Sequence, residues 1–264
     1  MSENAGEAAA LERAGRRAYP DFQLRRLAST TSTQDVVRAA ARAGAPPGWC
    51  CMAGTQSAGR GRQDRPWTAP AGSALLASIL VRVRHPRLGG VSIAAGLAVR
   101  AAIAATAGWE ANLKWPNDIL ARHRKLAGIL CEVEAGAPGE GTAVVIGAGV
   151  NLSVLSFPAG VGGISLHELV GSPPSPSRLL AGLLPELCSR LATLERAGMA
   201  PLREEWMAHA VGIGMVVTVT SAAGRVSGMA EGIDDDGALL IRADAGPIRL
   251  LAGDVHLGTD GAGP

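Results

Sequence analysis

An α/β unit followed by a small β barrel is the fold this sequence predicts, on three observations. Apolar runs of strand length, SALLASILVRV, KLAGILCEVE and TAVVIGAGVNL, alternate with helix-patterned segments such as TSTQDVVRAAARAG and VSIAAGLAVRAAIAAT. Leu179, Leu180, Leu183, Leu184, Leu187, Leu191 and Leu194 recur at helical spacing and mark a long core-facing helix from Ser177 to Gly198. From Gly212 the style changes to short strands, MVVTVTS, RVSGMAEGI, GALLIRA and PIRLLAG, separated by Gly and Asp turns.

Each element follows in order. Residues 1–28 lack a strong period and read as a loose lead-in with room for one short helix. From Ser32 the pattern sharpens, because a Ser/Thr N-cap candidate opens a helix that runs to Gly44. A strand is expected at Trp49 to Gly54, and after it residues 55–72 carry no apolar period. Long connections of that kind inside a compact unit carry function or motion. A β-like run, a buried helix, the short strand NLKW and two further strands complete the α/β pattern, and a last helix spans Leu202 to His209. In the C-terminal part, Asp234, Asp235 and Asp236 stand before Gly237. A metal site is one reading of that run, and a hairpin turn is the cheaper one.

Composition bounds the function without naming it. The 264 residues are 47% hydrophobic but only 3% aromatic, so a sizeable core must be filled by Ala, Val, Leu and Ile. A formal charge of +2 with dispersed cations leaves no global field for DNA or an anionic membrane, so any anion must be met locally. Cys50, Cys51, Cys131 and Cys188 match neither a paired zinc spacing nor a small disulfide scaffold, and are expected to be reduced core thiols. With no secretory signal and no clean apolar span, the sequence reads as cytoplasmic and soluble.

Four segments carry chemistry. In Gly59-Arg60-Gly61-Arg62 the glycines let backbone N–H groups approach an anion, and guanidinium groups supply planar charge-assisted donors. A solvated loop or an RNA-binding tail uses the same residues. Nearby Trp67 suits either a cover for a planar ring or a core anchor. Lys114-Trp115-Pro116-Asn117-Asp118 presents a cation, an amide and a carboxylate at a strand end, where α/β sites collect, and its last three residues also describe an ordinary turn. Lys125-Leu126-Ala127-Gly128 opens a largely buried strand with a lysine. Gly147-Ala148-Gly149-Val150-Asn151 is a strand whose small residues permit close ligand approach or a tight packing contact, and it lacks the Rossmann fingerprint.

In order, TSTQD, GTQSAGRGRQDRPW, KWPND, KLAGILCE and GAGVNL resemble the catalytic domain of biotin protein ligases, and the β unit after residue 211 resembles that family's C-terminal domain. The resemblance implies a central mixed sheet similar to class II aminoacyl-tRNA synthetases plus an SH3-like C-terminal barrel, partitioned as a lead-in at 1–28, a biotin/ATP-binding domain at 29–210 and the barrel at 211–258. It implies a ligase that makes biotinyl-5′-AMP from biotin and ATP, with Mg²⁺, and transfers biotin to a lysine of a biotin carboxyl carrier protein. No tightly bound prosthetic group, nucleic acid or membrane partner is implied; a homodimer is compatible with it. With 31 residues before Ser32, it points to the kind without a DNA-binding winged helix.

The same resemblance assigns residues. Ser32, Thr33 and Gln56 would hold the ureido group of biotin, with Gly59, Arg60, Lys125 and Gly128 completing its site. Arg62, Arg65, Trp67, Asn117 and Asn151 would meet the nucleotide, and Asp118 would hold the metal. Arg60, Arg62, Lys114 and Lys125 would offset the repulsion between a carboxylate and the α-phosphate. Gln34, where the family usually has Asn, and Ser57 depart from the pattern. No nucleophile is needed for such chemistry, in keeping with His85, His123, His167, His209 and His256, none of which sits in a recognisable catalytic motif.

Overall fold

The computed structural model describes residues 5–158, 162–221 and 224–257, so residues 1–4 of the expected lead-in, 159–161 of the expected biotin/ATP-binding domain and 222, 223 and 258 of the expected barrel lie outside it. The lead-in is not loose. Ala5–Ala18 form helix α1, and Gln23–Leu27 form strand β1. Helix α1 packs on a later helix, and Leu11 and Phe22 are fully buried. The segment escapes sequence reading because Leu11 is the only large buried side chain of α1, which leaves no apolar repeat.

The remaining elements follow the expected order, joined by three that were not expected, at Asp118–Ala121, Leu166–Val170 and Asp254–Leu257. They are α2 (Thr33–Arg42), β2 (Trp49–Ala53), β3 (Ala74–Val83), α3 (Gly89–Ala107), β4 (Asn112–Lys114), β5 (Asp118–Ala121), β6 (Arg124–Val133), β7 (Thr142–Asn151), α4 (Leu166–Val170), α5 (Pro176–Ala197) and α6 (Ala200–His209). Strands β8 (Val216–Ser221), β9 (Gly224–Ile233), β10 (Leu239–Ala243), β11 (Gly246–Leu250) and β12 (Asp254–Leu257) close the chain.

Seven strands form a mixed sheet in the order β1-β2-β3-β7-β6-β5-β4, with β1 and β2 parallel and the other pairs antiparallel. Side chains alternate across the pleat. One face, with Leu75, Ala77, Ile79, Ile146 and Val150, is buried with α3 and α5 in the main core. Helix α3 is apolar all round because it is enclosed by the sheet, α5 and α6. It is long and apolar enough to cross a membrane by composition, against the expectation that no span would be, and two-thirds of its most apolar window is buried in the fold.

The last five strands form an antiparallel sheet, β11-β10-β9-β8-β12. Its apolar residues Val217, Val219, Ala230, Ile233, Leu239 and Ile241 join the same contiguous core as α3 and α5. Trp115 Nε1 donates to the Gly237 carbonyl at 2.9 Å, and Arg203 pairs with Asp235 at 2.7 Å across the junction. The aspartate run is the expected turn, in which Asp234 Oδ1 accepts from the amides of Asp236 and Ala238.

Candidate functional site

The face of the mixed sheet that carries α2 is only half covered. Leu80, Ala143 and Val145 pack under Val37 and Ala41 of α2. Farther along the same faces of β3, β7 and β6 stand Ser78, Gly147, Gly149 and Gly128, with Ser78 opposite Gly147 and Gly149 opposite Gly128. Bare backbone there leaves a trough that larger side chains would have filled. Residues 55–72 close over it and make a cleft of about 110 Å³.

The closing loop is a tight hairpin. Gly61 N–H donates to the Arg65 carbonyl at 2.7 Å and Trp67 N–H to the Gly59 carbonyl at 2.8 Å, while the chain reverses through left-handed Gln63 and Asp64. Gly59 is required by packing rather than by ligand approach. A Cβ there would stand 2.5 Å from the Trp67 carbonyl and 2.6 Å from Gln56 Nε2, and Gly59 does not line the cleft.

One end of the cleft is neutral and already wired. Gln56 Oε1 accepts from the Thr33 amide at 2.7 Å and the Thr33 hydroxyl at 3.0 Å. The Thr33 and Ser78 hydroxyls are 2.8 Å apart, Ser78 donates to Gln34 Oε1 at 3.0 Å, and Gln34 Nε2 donates to the Val145 carbonyl. Ser32 sits at the N-cap of α2 without making a side-chain cap bond, and its hydroxyl stays on the cleft wall. Sequence reasoning met Gln34 only as a departure from the family pattern and passed over Ser78. The signal for Ser78 was a lone hydroxyl inside the apolar run SALLASILV.

The other end is cationic. Lys125 Nζ lies 2.6 Å from Asp118 Oδ1 and 5.5 Å from the Trp67 ring centroid. The indole lies against Gly128 and Gly149, where Cβ atoms would come within 3.0 and 2.5 Å of it, so the glycines are the floor on which Trp67 rests. Its buried Nε1 has no hydrogen-bond partner among the described residues. Beyond the indole, Lys125, Asn151, Phe157 and Pro158 help to wall a second recess of about 70 Å³.

Four arginine and lysine assignments separate here. Arg62 is half-buried, donates to the Gly253 carbonyl at 3.3 Å and has no carboxylate within 4 Å among the described residues. Burial lowers its pKa, against the opposing pull of Asp254 and Asp118. Arg60 also lines the cleft, but its guanidinium is already committed to Asp35 and Glu132. Arg65 is exposed and pairs with Asp254 of β12, which sequence reasoning did not find. Lys114 is not brought to the cleft wall, because it lies on the far edge strand β4.

The two asparagines act on the backbone. Asn117 Nδ2 donates to the Ile129 carbonyl at 2.7 Å, and Asn151 Nδ2 donates to the carbonyls of Ile164 and Lys125. Both amide nitrogens therefore brace the walls, leaving the Oδ1 atoms for a ligand. All four cysteines are free, and burial pushes the thiols of Cys51 and Cys131 up to about 11 and about 12, so they carry no thiolate at neutral pH.

Among the described residues no group of three or more His, Cys, Asp or Glu is placed to hold a metal. Asp118 offers one carboxylate, already paired with Lys125. That donor set fits a magnesium ion carried chiefly by phosphates and water, with Asp118 as a single protein ligand. A neutral hydrogen-bonding end joined to a cationic end suits a ligand that is uncharged and polar at one end and anionic at the other.

Residues 27–151 match the Biotin/lipoate A/B protein ligase family, and residues 212–258 match the Biotin protein ligase C terminal domain. The chain is 37% identical over 244 residues to the biotin--[acetyl-CoA-carboxylase] ligase of Mycobacterium tuberculosis, covering 89% of each. It is 35% identical over 216 residues to the protein of the same name from Paracoccus denitrificans, covering 78% of this chain and 89% of that one. Its fold is similar to the structure of biotin protein ligase from Aquifex aeolicus in complex with biotin and ATP, with a TM-score of 0.78 at 23% identity over 90% of this chain and 99% of the other.

Proposed function

This chain belongs to the biotin protein ligase family, and from that premise we infer that it forms biotinyl-5′-AMP from biotin and ATP and then transfers the biotinyl group to a lysine of a biotin carboxyl carrier protein. The observation that carries the reading is the two-ended cleft, wired neutral groups at Thr33, Gln56 and Ser78 and cations at Arg62 and Lys125. A ureido group is neutral and costly to bury without partners, so the wired end fits it. The valerate carboxylate then points to the cationic end.

In the first step a biotin carboxylate oxygen attacks the α-phosphorus, a P–O bond forms, and pyrophosphate leaves. At contact distance the repulsion of the two anions is about 1 to 4 kcal/mol in a high or intermediate dielectric. Lys125 must exchange its bond to Asp118 for the incoming anions, while Arg62, short of a carboxylate, is free to take them. Asp118 would hold a magnesium ion bound with the nucleotide, which would supply neutralisation of phosphate charge. In the second step the acceptor amine attacks the acyl carbon, AMP leaves, and the amine gives up its proton. Catalysis is positioning and charge stabilisation, with no covalent enzyme intermediate.

Finer assignments belong to the same proposal. The mixed sheet is read as class II aminoacyl-tRNA synthetase-like, the five-stranded unit as an SH3-like barrel, and the boundaries as 29–210 and 211–258. Trp67 and Asn151, with the recess beside Phe157, are read as the nucleotide side, and the enzyme as cytoplasmic. Purified protein given biotin, ATP and Mg²⁺ is expected to release pyrophosphate only when biotin is present, and to label a carboxylase carrier domain but not its Lys→Arg variant. Biotin-independent pyrophosphate release, or none at all, overturns the reading.

A further inference from the structure

Arg60 and Arg62 stand two residues apart in one loop and live in opposite surroundings. Arg62 has a backbone carbonyl for company. Arg60 instead donates from both terminal nitrogens to Asp35, at 3.0 and 2.7 Å, and from Nη2 to Glu132 at 3.3 Å. Three separate elements meet at this guanidinium: the closing loop, the first turn of α2, and β6. Behind it the charges alternate onward. Arg38 reaches Glu132 at 3.9 Å and Glu134 at 2.7 Å, and Arg42 also donates to Glu134, whose side chain is 6% exposed. A planar fork held by two carboxylates fixes orientation as well as position.

Besides the packing of Trp67 on Gly128 and Gly149, the hairpin that carries Arg62 and Trp67 is tied to the body by polar side chains at two places among the described residues. One is the Arg60 clasp. The other is its far end, where Arg65 pairs with Asp254 and Arg62 meets the Gly253 carbonyl. Without the clasp, the polar ties of the hairpin over the cleft would lie at its far end only, with the Trp67 packing beside them. A mixed anhydride must stay under that cover until the acceptor lysine arrives, because water attacks the same acyl carbon.

We propose that Asp35 and Glu132 are positioning residues that clasp the closing loop through Arg60, and that this clasp, rather than contact between Arg60 and the ligand, retains the acyl-adenylate between the two half-reactions. The inference rests on the function proposed above. It assigns the two arginines different work, with Arg62 facing the anions and Arg60 holding the lid.

The test is a mutant cycle read by adenylate retention. Biotinyl-AMP is formed on the enzyme, isolated with it, and its loss followed during a chase without acceptor. Asp35→Asn with Glu132→Gln is expected to speed release on the order of tenfold, while biotin affinity by calorimetry stays near wild type. Arg60→Lys, which keeps the charge and loses the fork, is expected to match it. Adding Arg60→Ala to the double variant is expected to change release no further, because all three residues act as one unit. Raised salt is expected to speed release from the wild type more than from the double variant, a comparison that includes the unmutated enzyme. Wild-type retention in the variants, or an Arg60→Ala effect that adds in full to theirs, overturns the clasp. A wild-type protein that makes no adenylate overturns the proposed function instead.

Discussion

The two ends of the cleft are built on opposite principles. At the neutral end Thr33, Gln34, Gln56 and Ser78 bond mainly to one another, so the ligand meets a network whose geometry is already set. At the cationic end Lys125 holds Asp118 and, among the described residues, Arg62 holds only a carbonyl and Trp67 Nε1 holds nothing, so contacts must be exchanged or made when anions arrive. On the proposed function, the difference teaches that recognition and chemistry are separable here. A prewired end discriminates by hydrogen-bond matching, whereas an end with exchangeable pairs places its interactions where charge moves.

Substitutions can break that division, and the largest effect is expected from Lys125→Ala. Loss of the cation is expected to lower the rate of adenylate formation about 100- to 1,000-fold in a biotin-dependent pyrophosphate assay. A near-normal rate would mean that the cationic end is not where the carboxylate is activated. Arg62→Ala follows, with adenylation slowed about tenfold or more and adenylate appearing free in solution, measured by filtering the enzyme away.

At the other end, Thr33→Val removes one hydroxyl at nearly constant shape. It leaves Ser78 and Gln56 each short of a partner, and biotin affinity by calorimetry is expected to fall about 5- to 100-fold. Adenylation at saturating biotin should change little. If the rate at saturation falls as far as the affinity, the two ends do not divide the work.

The smallest expected effect is on acid stability. Hydrogen bonds from Arg60 hold Asp35 below its ordinary 3.8, and those from Arg42 and Arg38 hold Glu134 below its ordinary 4.5. A depressed carboxylate contributes stability above its unfolded pKa and loses it as pH falls through the folded value. The melting temperature is therefore expected to drop below about pH 4.5, and Glu134→Gln is expected to flatten the drop while costing about 1.5 to 3 kcal/mol at pH 7. Because Asp35 is half exposed, Asp35→Asn should flatten it less.

Much of this was legible in the chain because its causes are local. Leucines at helical spacing gave α5, apolar runs of strand length gave β3, β6 and β7, and an Asp run before a glycine gave the turn at Asp234. The Arg-Gly loop and the two Gly-rich strands were also visible, since glycine marks close approach whatever approaches. What closes on those glycines was not visible. Nothing near Gly149 in sequence says that the indole of Trp67 lies on it, 82 positions away. The lead-in was misread for a related reason, since a helix held by one buried leucine carries no period.

The sequence by itself determined most of the elements after the lead-in, their order, the family resemblance and the kinds of group available, because hydrophobic period, turn chemistry and motif spacing are properties of neighbours along the chain. Only the tertiary structure decided which of those groups line the cleft and which are already paired. Arg60 and Arg62 are the same residue in the same motif, and they differ because one meets carboxylates 25 and 72 positions away while the other meets a carbonyl 191 positions away. Electrostatic environment depends on distance through space, and folding sets that distance.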